Sequence, residues 1–211
     1  MPRLALLPLL ALLALSACAH SREVVAPPDA AATANAWRLS IADADRTRLR
    51  RWRQTWVAAL AAARPGNEAA IAPEGPLLDP DAALAGVRLP AGDYRCRWLK
   101  LGAQGATPSA YRVFPALPCR VADDEGGRLH FSILGGPQRP LGTVFPDTGR
   151  RMIFLGTLQL GDEALAYRYG RDAERDMVGI VERIGDARWR LVLPSPHFES
   201  QLDVIELVPA R

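Results

Sequence analysis

Tyr94-Arg95-Cys96-Arg97-Trp98 is the stretch that decides the fold. Its aromatic residues and cysteine alternate with arginines, so an extended chain would turn one apolar side inward and one charged side to water. That is the signature of a half-buried strand. Working outward, further strands are predicted around Tyr111–Phe114, Arg128–Leu134, Gly142–Phe145, Met152–Leu160, Ala164–Tyr169, Met177–Ile184, Trp189–Leu193 and Leu202–Val208. Gly161-Asp162 and Gly185-Asp186 read as two-residue hairpin loops, and Pro146-Asp147-Thr148-Gly149 as a longer turn.

Strands joined by short turns, with no helix between them, make an antiparallel meander, and closure into a barrel removes its exposed edges. The predicted fold is therefore mainly β: a small up-and-down, lipocalin-like barrel with one N-terminal amphipathic helix across one opening or one wall. That helix is predicted over Ser40–Ala63, where Leu49, Trp52, Trp56, Leu60 and Ala63 form an apolar stripe and Ser40-Ile41-Ala42-Asp43 offers a cap. Arg46, Arg50 and Arg53 make its outer face basic. Two readings follow: a helix lying on an anionic membrane surface, or a stripe packed on the domain core. Residues 64–91 are rich in proline and read as an extended connection, with one short helix signalled by Asp79 and Pro80.

The N-terminus carries an export signal. Arg3 precedes an apolar run from Leu4 to Leu15, too short to span a bilayer, followed by small residues. Leu15-Ser16-Ala17-Cys18 has the residue types of a bacterial lipobox and resembles bacterial lipoproteins, in which the cysteine thiol carries a lipid. Cleavage after Ala19, releasing a soluble chain at His20, is the rival. Ala19 lacks the aspartate that this resemblance associates with inner-membrane retention, which points to the periplasmic side of the outer membrane. The expected division is a signal peptide over 1–17, a flexible tether over 18–36, the helix and proline-rich connection over 37–91, and the β domain over 92–211. As coil, a tether of about 18 residues measures roughly 20 to 25 Å.

With 211 residues, 49% hydrophobic and 23% charged, the chain suits one folded unit and excludes intrinsic disorder and a multi-span membrane protein. Its formal charge is only +3, so no nucleic-acid partner is called for. Of its 26 basic residues a single one is lysine, Lys100, in the strand that also holds Cys96. Besides Cys18 the cysteines are Cys96 and Cys119, a pair that export would oxidise to a disulfide closing a loop of about 24 residues, worth roughly 3 kcal/mol.

Chemistry is sparse. No phosphate-binding glycine loop, zinc-protease helix, EF-hand or Gly-x-Ser-x-Gly elbow occurs, and no metal or cofactor motif or catalytic residue is assigned. Ser195 or Ser200, His197 and Asp203 make a triad only on paper. Glu163, Asp176, Glu182 and Glu199 have arginine partners at hand in Arg168, Arg175, Arg183 and Arg190, and solvated cross-strand pairs are the ordinary account of them. Gly135-Gly136-Pro137-Gln138-Arg139-Pro140 would hold an amide and a guanidinium in a stiff turn, able to present donors to a carboxylate or phosphate. The candidate binding residues are Lys100, Gln138, Arg139, Arg168, Asp176, Glu182 and Glu199.

Tyr94-Arg95-Cys96-Arg97, Lys100-Leu101-Gly102, Cys119-Arg120, Gln138-Arg139, Phe154-Leu155-Gly156 and Arg188-Trp189-Arg190-Leu191 resemble an uncharacterised family of small proteobacterial envelope proteins, a domain of unknown function. The likeness runs from about Trp37 to Arg211 and implies a recurring envelope unit with no assigned activity. The expected function is a lipid-anchored, periplasmic, non-catalytic binding protein for a small ligand, an envelope polymer or a protein. An inhibitor of an exported protease or lysozyme, and an enzyme using carboxylates inside the barrel, are the alternatives.

Overall fold

From Gly92 onward the alternating pattern produces nine strands: β1 Gly92–Ala103, β2 Tyr111–Val113, β3 Leu117–Asp123, β4 Leu129–Ile133, β5 Gln138–Pro146, β6 Met152–Leu160, β7 Asp176–Gly185, β8 Arg188–Pro194 and β9 Ser200–Pro209. They are seen in a computed structural model, which describes residues 36–106, 109–125 and 127–210. The expectations for the signal, for Cys18 and for most of the tether lie outside the described residues.

All pairings are antiparallel, and β1 and β9 pair from Tyr94↔Pro209 to Ala103↔Ser200, which closes a barrel. Eight strands form the wall. The ninth, β2, hydrogen-bonds beside β3 on the same edge of β1, through Leu99↔Val113 to Leu101↔Tyr111. The fold is mainly β, as the alternation predicts.

The strands depart from the expected ones in places. β3 is an unpredicted strand, because Pro118 looks like a breaker; Pro118 lies one residue inside the strand start, opposite Arg95, where proline is tolerated. Conversely, Ala164–Tyr169 alternates like a strand but belongs to a loop between β6 and β7. Gly161-Asp162 opens that loop and forms no tight hairpin, while the β7–β8 turn falls on Asp186-Ala187, since Gly185 pairs with Arg188.

The strands sort their side chains into two layers. Inside the barrel, Tyr94, Trp98, Phe131, Phe154, Trp189 and Ile205 share one apolar cluster with both cysteines. Cys96 and Cys119 form a disulfide with 5.9 Å between Cα atoms, fastening β1 to β3. On the outside, Leu99, Leu101, Val192, Leu202 and Val204 lie under Trp56 and Leu60, and Ile153, Leu155, Val178 and Ile180 lie under Trp37, Ile41 and Leu49. Strands covered on both faces read as continuous apolar runs, which is why β6 to β9 hardly alternate in sequence. At the β5–β6 crossing Gly142 faces Gly156, and a Cβ at Gly142 would collide with the Leu155 carbonyl and the Gly156 Cα.

The long N-terminal helix is two helices, Asp43–Arg50 and Trp52–Ala63, broken at Arg51, where φ is −96° and ψ is 4°. Ala42, without a side-chain cap, starts the first. The predicted stripe is largely buried, at Leu49, Trp56, Leu60 and Ala63, and the second helix packs on β1, β8 and β9. Its apolar face thus covers the barrel wall. The short helix expected at Asp79-Pro80 lies earlier, as Glu68–Ile71 with a 3-10 turn over Ala72–Leu77, and Asp79 instead makes a turn in which its carboxylate accepts the Asp81 N–H at 2.9 Å.

Candidate functional site

Alternation along β1 that sends Tyr94, Cys96 and Trp98 inward sends Lys100 inward too. Register then places it in a row: Arg112 of β2 opposite Lys100, and Lys100 opposite Asp203 of β9. The row lies at the end of the barrel formed by the end of β1 and the beginnings of β5, β7 and β9. At the opposite end Val87, Leu89, Tyr94, Met152 and Trp189 pack together inside the same cluster.

Lys100 is buried, and so is Asp203. The Lys100 ammonium donates to Asp203 Oδ2 at 3.2 Å, stands 3.4 Å from Glu199 Oε2, and sits 4.7 Å from the centroid of the Trp98 ring. Ser200 Oγ donates to Asp203 Oδ1 at 2.5 Å. Arg112 Nη2 donates to Glu199 Oε2 at 3.1 Å, so Glu199 joins the two cations. The Trp98 indole N–H lies near Asp203 without completing a hydrogen bond to it, and among the described residues Arg112 Nε has no hydrogen-bond partner.

Loop conformation sets Glu199 in place. The β8–β9 loop contains the described non-glycine residues with positive φ, Ser195 at 48° and Glu199 at 69°. Such backbone is held only where its surroundings over-determine it, and it gathers at functional positions. The Ser195 N–H bonds the Gln201 carbonyl and the Gln104 N–H bonds the Glu199 carbonyl, both helping to pin the loop.

Burial pushes the Asp203 carboxyl above the ordinary aspartate value, against the pull of Lys100. Burial would also raise Glu199, but Lys100 and Arg112 together outweigh it and hold that carboxyl below its usual value. Two neighbouring carboxylates are thereby pushed in opposite directions.

Beside this cluster lies a cavity of about 140 Å³, lined by Trp98, Lys100, Arg112, Phe114, Ile133, Gln138 and Glu199 among others. On the other flank of Trp98 and Lys100 a smaller space of about 20 Å³ reaches Asp203, Met177 and His197. A larger depression, about 700 Å³, lies on the outer face by Arg95, Arg97 and Glu206, but there Arg97 already pairs with Glu74 and Glu206. Among the described residues no cluster of three or more metal-ligating side chains occurs.

Of the sequence candidates, Lys100, Gln138 and Glu199 come together at the mouth. Arg139 turns away and ties down the β6–β7 loop, donating to the Leu160 carbonyl at 2.8 Å and the Glu163 carbonyl at 3.1 Å. Arg168 is exposed in that loop. Asp176 accepts the Gly170 N–H at 2.9 Å, and burial raises its carboxyl. Glu182 pairs with Arg190 on the outer wall beneath the 3-10 turn. The triad drawn on paper is not assembled: His197 stands 3.7 Å from Glu174, and the Ser200 hydroxyl donates its hydrogen bond to Asp203 with no histidine between them.

Asp203, named in the sequence only as part of the paper triad, and Arg112 are members of the site that the local pattern does not single out for binding. Asp203 was visible as a carboxylate between Leu202 and Val204, in register with the inward Ile205 and Leu207, but only pairing of β1 with β9 brings it to Lys100. No curated protein and no solved structure matches the chain. A family model described as a domain of unknown function, DUF4893, matches residues 37–207.

Proposed function

The chain belongs to the DUF4893 family, a domain of unknown function, and from that footing we propose that it is a non-catalytic binding protein, lipid-anchored through Cys18 on the periplasmic side of the outer membrane. The observation that carries the binding reading is the 140 Å³ cavity at the barrel mouth, where apolar walls meet Lys100, Arg112, Gln138 and Glu199. A space of that size holds one ring-sized group, since an apolar cavity near 150 Å³ accepts benzene. The ligand is therefore a small molecule, or the terminal group of an envelope polymer or protein.

The polar groups around the cavity favour binding over catalysis. Glu199 lies between two cations and its carboxyl is held low, which makes it a poor base. Lys100 is in ion-pair contact with two carboxylates, so its ammonium is engaged and not poised as a nucleophile. The lipid anchor rests on Leu15-Ser16-Ala17-Cys18 behind the apolar run.

A panel of small carboxylates, amides and alcohols with ring-sized bodies, screened by protein-observed NMR, tests the binding reading. Shifts concentrated at Trp98, Gln138 and Glu199 support it, and a panel that moves none of them overturns it. Mass spectrometry of the membrane fraction tests the anchor: an acylated Cys18 peptide is expected, and an unmodified chain beginning at His20 would remove that part.

A further inference from the structure

The β6–β7 loop holds apolar side chains out in water between two clamps. On one side, Glu163 is gripped: its carbonyl accepts from Arg139 Nη2 at 3.1 Å and Gln159 Nε2 at 2.9 Å, and its carboxylate pairs with Arg175 at 3.1 Å. On the other side, Tyr169 Oη donates to Asp45 at 2.6 Å and the Gly170 N–H donates to Asp176 at 2.9 Å. Between the clamps Leu165 is 85% exposed and Tyr167 54% exposed, with Arg168 exposed beside them, and Arg171 is exposed just past Gly170. Of the Ala164–Tyr169 alternation that imitates a strand, Leu165 and Tyr167 thus serve no core, while Tyr169 does.

The loop lies next to the place where the N-terminal segment reaches the domain. Ala42 N–H donates to Tyr169 Oη at 3.1 Å, and Tyr169 packs against the cluster of Trp37 and Ile41. In the helical turn over 36–40, Leu39 is 94% exposed. Residue 36 is also where the expected tether from Cys18 ends, so this face lies within the roughly 20 to 25 Å reach of an 18-residue coil.

We infer that Leu165 and Tyr167, with Leu39 beside the tether, form a docking face for an anionic lipid surface, Arg168 and Arg171 meeting its headgroups. Leucine and tyrosine side chains suit the boundary between headgroups and acyl chains, and arginines add attraction to anionic lipid. The helix stripe that sequence suggested for a membrane is buried on the barrel; these residues take that role. The inference rests on the anchor reading for its setting and is independent of the mouth cavity.

Hydrogen exchange on the processed protein in vesicles tests it, comparing phosphatidylcholine alone with phosphatidylcholine containing phosphatidylglycerol. Slower exchange over 164–171 on the anionic vesicles is expected, and Leu165→Ser with Tyr167→Ser should abolish the difference and leave the barrel strands protected as before. Equal exchange on both vesicle types, or protection that persists in the double variant, overturns it. If Cys18 proves unacylated, sedimentation of the soluble chain with the anionic vesicles gives the answer instead. Binding that falls by roughly tenfold in the double variant supports the face, and absence of binding overturns it.

Discussion

Two ion pairs are buried in this barrel wall, one on each side of it. On the outer side Arg190, fully buried, donates to Glu182 Oε2 at 2.8 and 2.6 Å through Nε and Nη2. Its Nη1 donates to the carbonyls of Pro76, Leu77 and Asp79, and the guanidinium stacks 4.5 Å from the Trp56 ring. On the inner side Lys100 meets Asp203 and Glu199 at the rim of a cavity. The first pair is enclosed by backbone and joins strand, 3-10 turn and helix. The second borders open space, with the donor Arg112 Nε lacking a hydrogen-bond partner among the described residues. Burial alone therefore does not mark a site; what marks this one is buried charge facing unfilled volume.

The largest break should come at the outer pair. Arg190→Met would leave Glu182 buried without its cation and three carbonyls without a donor, and loss of one partner of such a pair costs about 3 to 5 kcal/mol. Urea denaturation should show that fall, while any ligand of the mouth should bind the folded variant as before. A variant as stable as the parent would show that the enclosed pair is not a staple.

Next in size is the disulfide, which fastens β1 to β3 on the inner side, with Cys96 lining the cavity. Replacing both cysteines by alanine should cost roughly 3 kcal/mol, the loop-closure value for a 24-residue ring. Measured against Arg190→Met, it asks whether a cross-link within the wall matters as much as the ion pair that clamps helix to wall.

Legibility followed the same division between one-sided and two-sided environments. Where a strand has one wet face, as in Tyr94-Arg95-Cys96-Arg97, period two was plain in the sequence. Where both faces are covered, as in β6 and β7, apolar runs carried the signal. The failures came where a local rule was overruled by context: Pro118 near a strand start, and Leu165 and Tyr167 alternating in a loop. Lys100 stood out because it is the single lysine, yet its partner is 103 residues away and is fixed by barrel closure, which no local pattern encodes. Arg112 sits on a three-residue strand that pairs with β1.

A smaller stability loss, with a larger loss of binding, is expected from Lys100→Met. Asp203 would lose its cation, but a carboxyl already pushed upward by burial can take a proton in its place, so about 1 to 3 kcal/mol is expected, below the Arg190→Met value. Ligand titration followed by Trp98 resonances should show binding greatly weakened. The reverse ranking, with Lys100→Met the more destabilising, would exchange the roles assigned to the two pairs.

The finest test uses pH. Asp203 holds its proton to higher pH in the folded chain than at its ordinary value of 3.8. Between that value and the raised folded one, the folded state therefore binds more protons than the unfolded state, and stability falls as pH rises through the interval. Glu199 acts in the opposite sense: its lowered carboxyl adds stability above its ordinary value of 4.5, which is lost as pH falls through the folded one. The two slopes oppose each other in the parent protein. Asp203→Asn removes the first, so its stability relative to the parent should rise as pH climbs above 3.8 and then level off, read from denaturation midpoints at successive pH. A difference that stays flat across that range would mean that Lys100 fully offsets the burial of Asp203, and the mouth would then be as electrostatically closed as the outer pair.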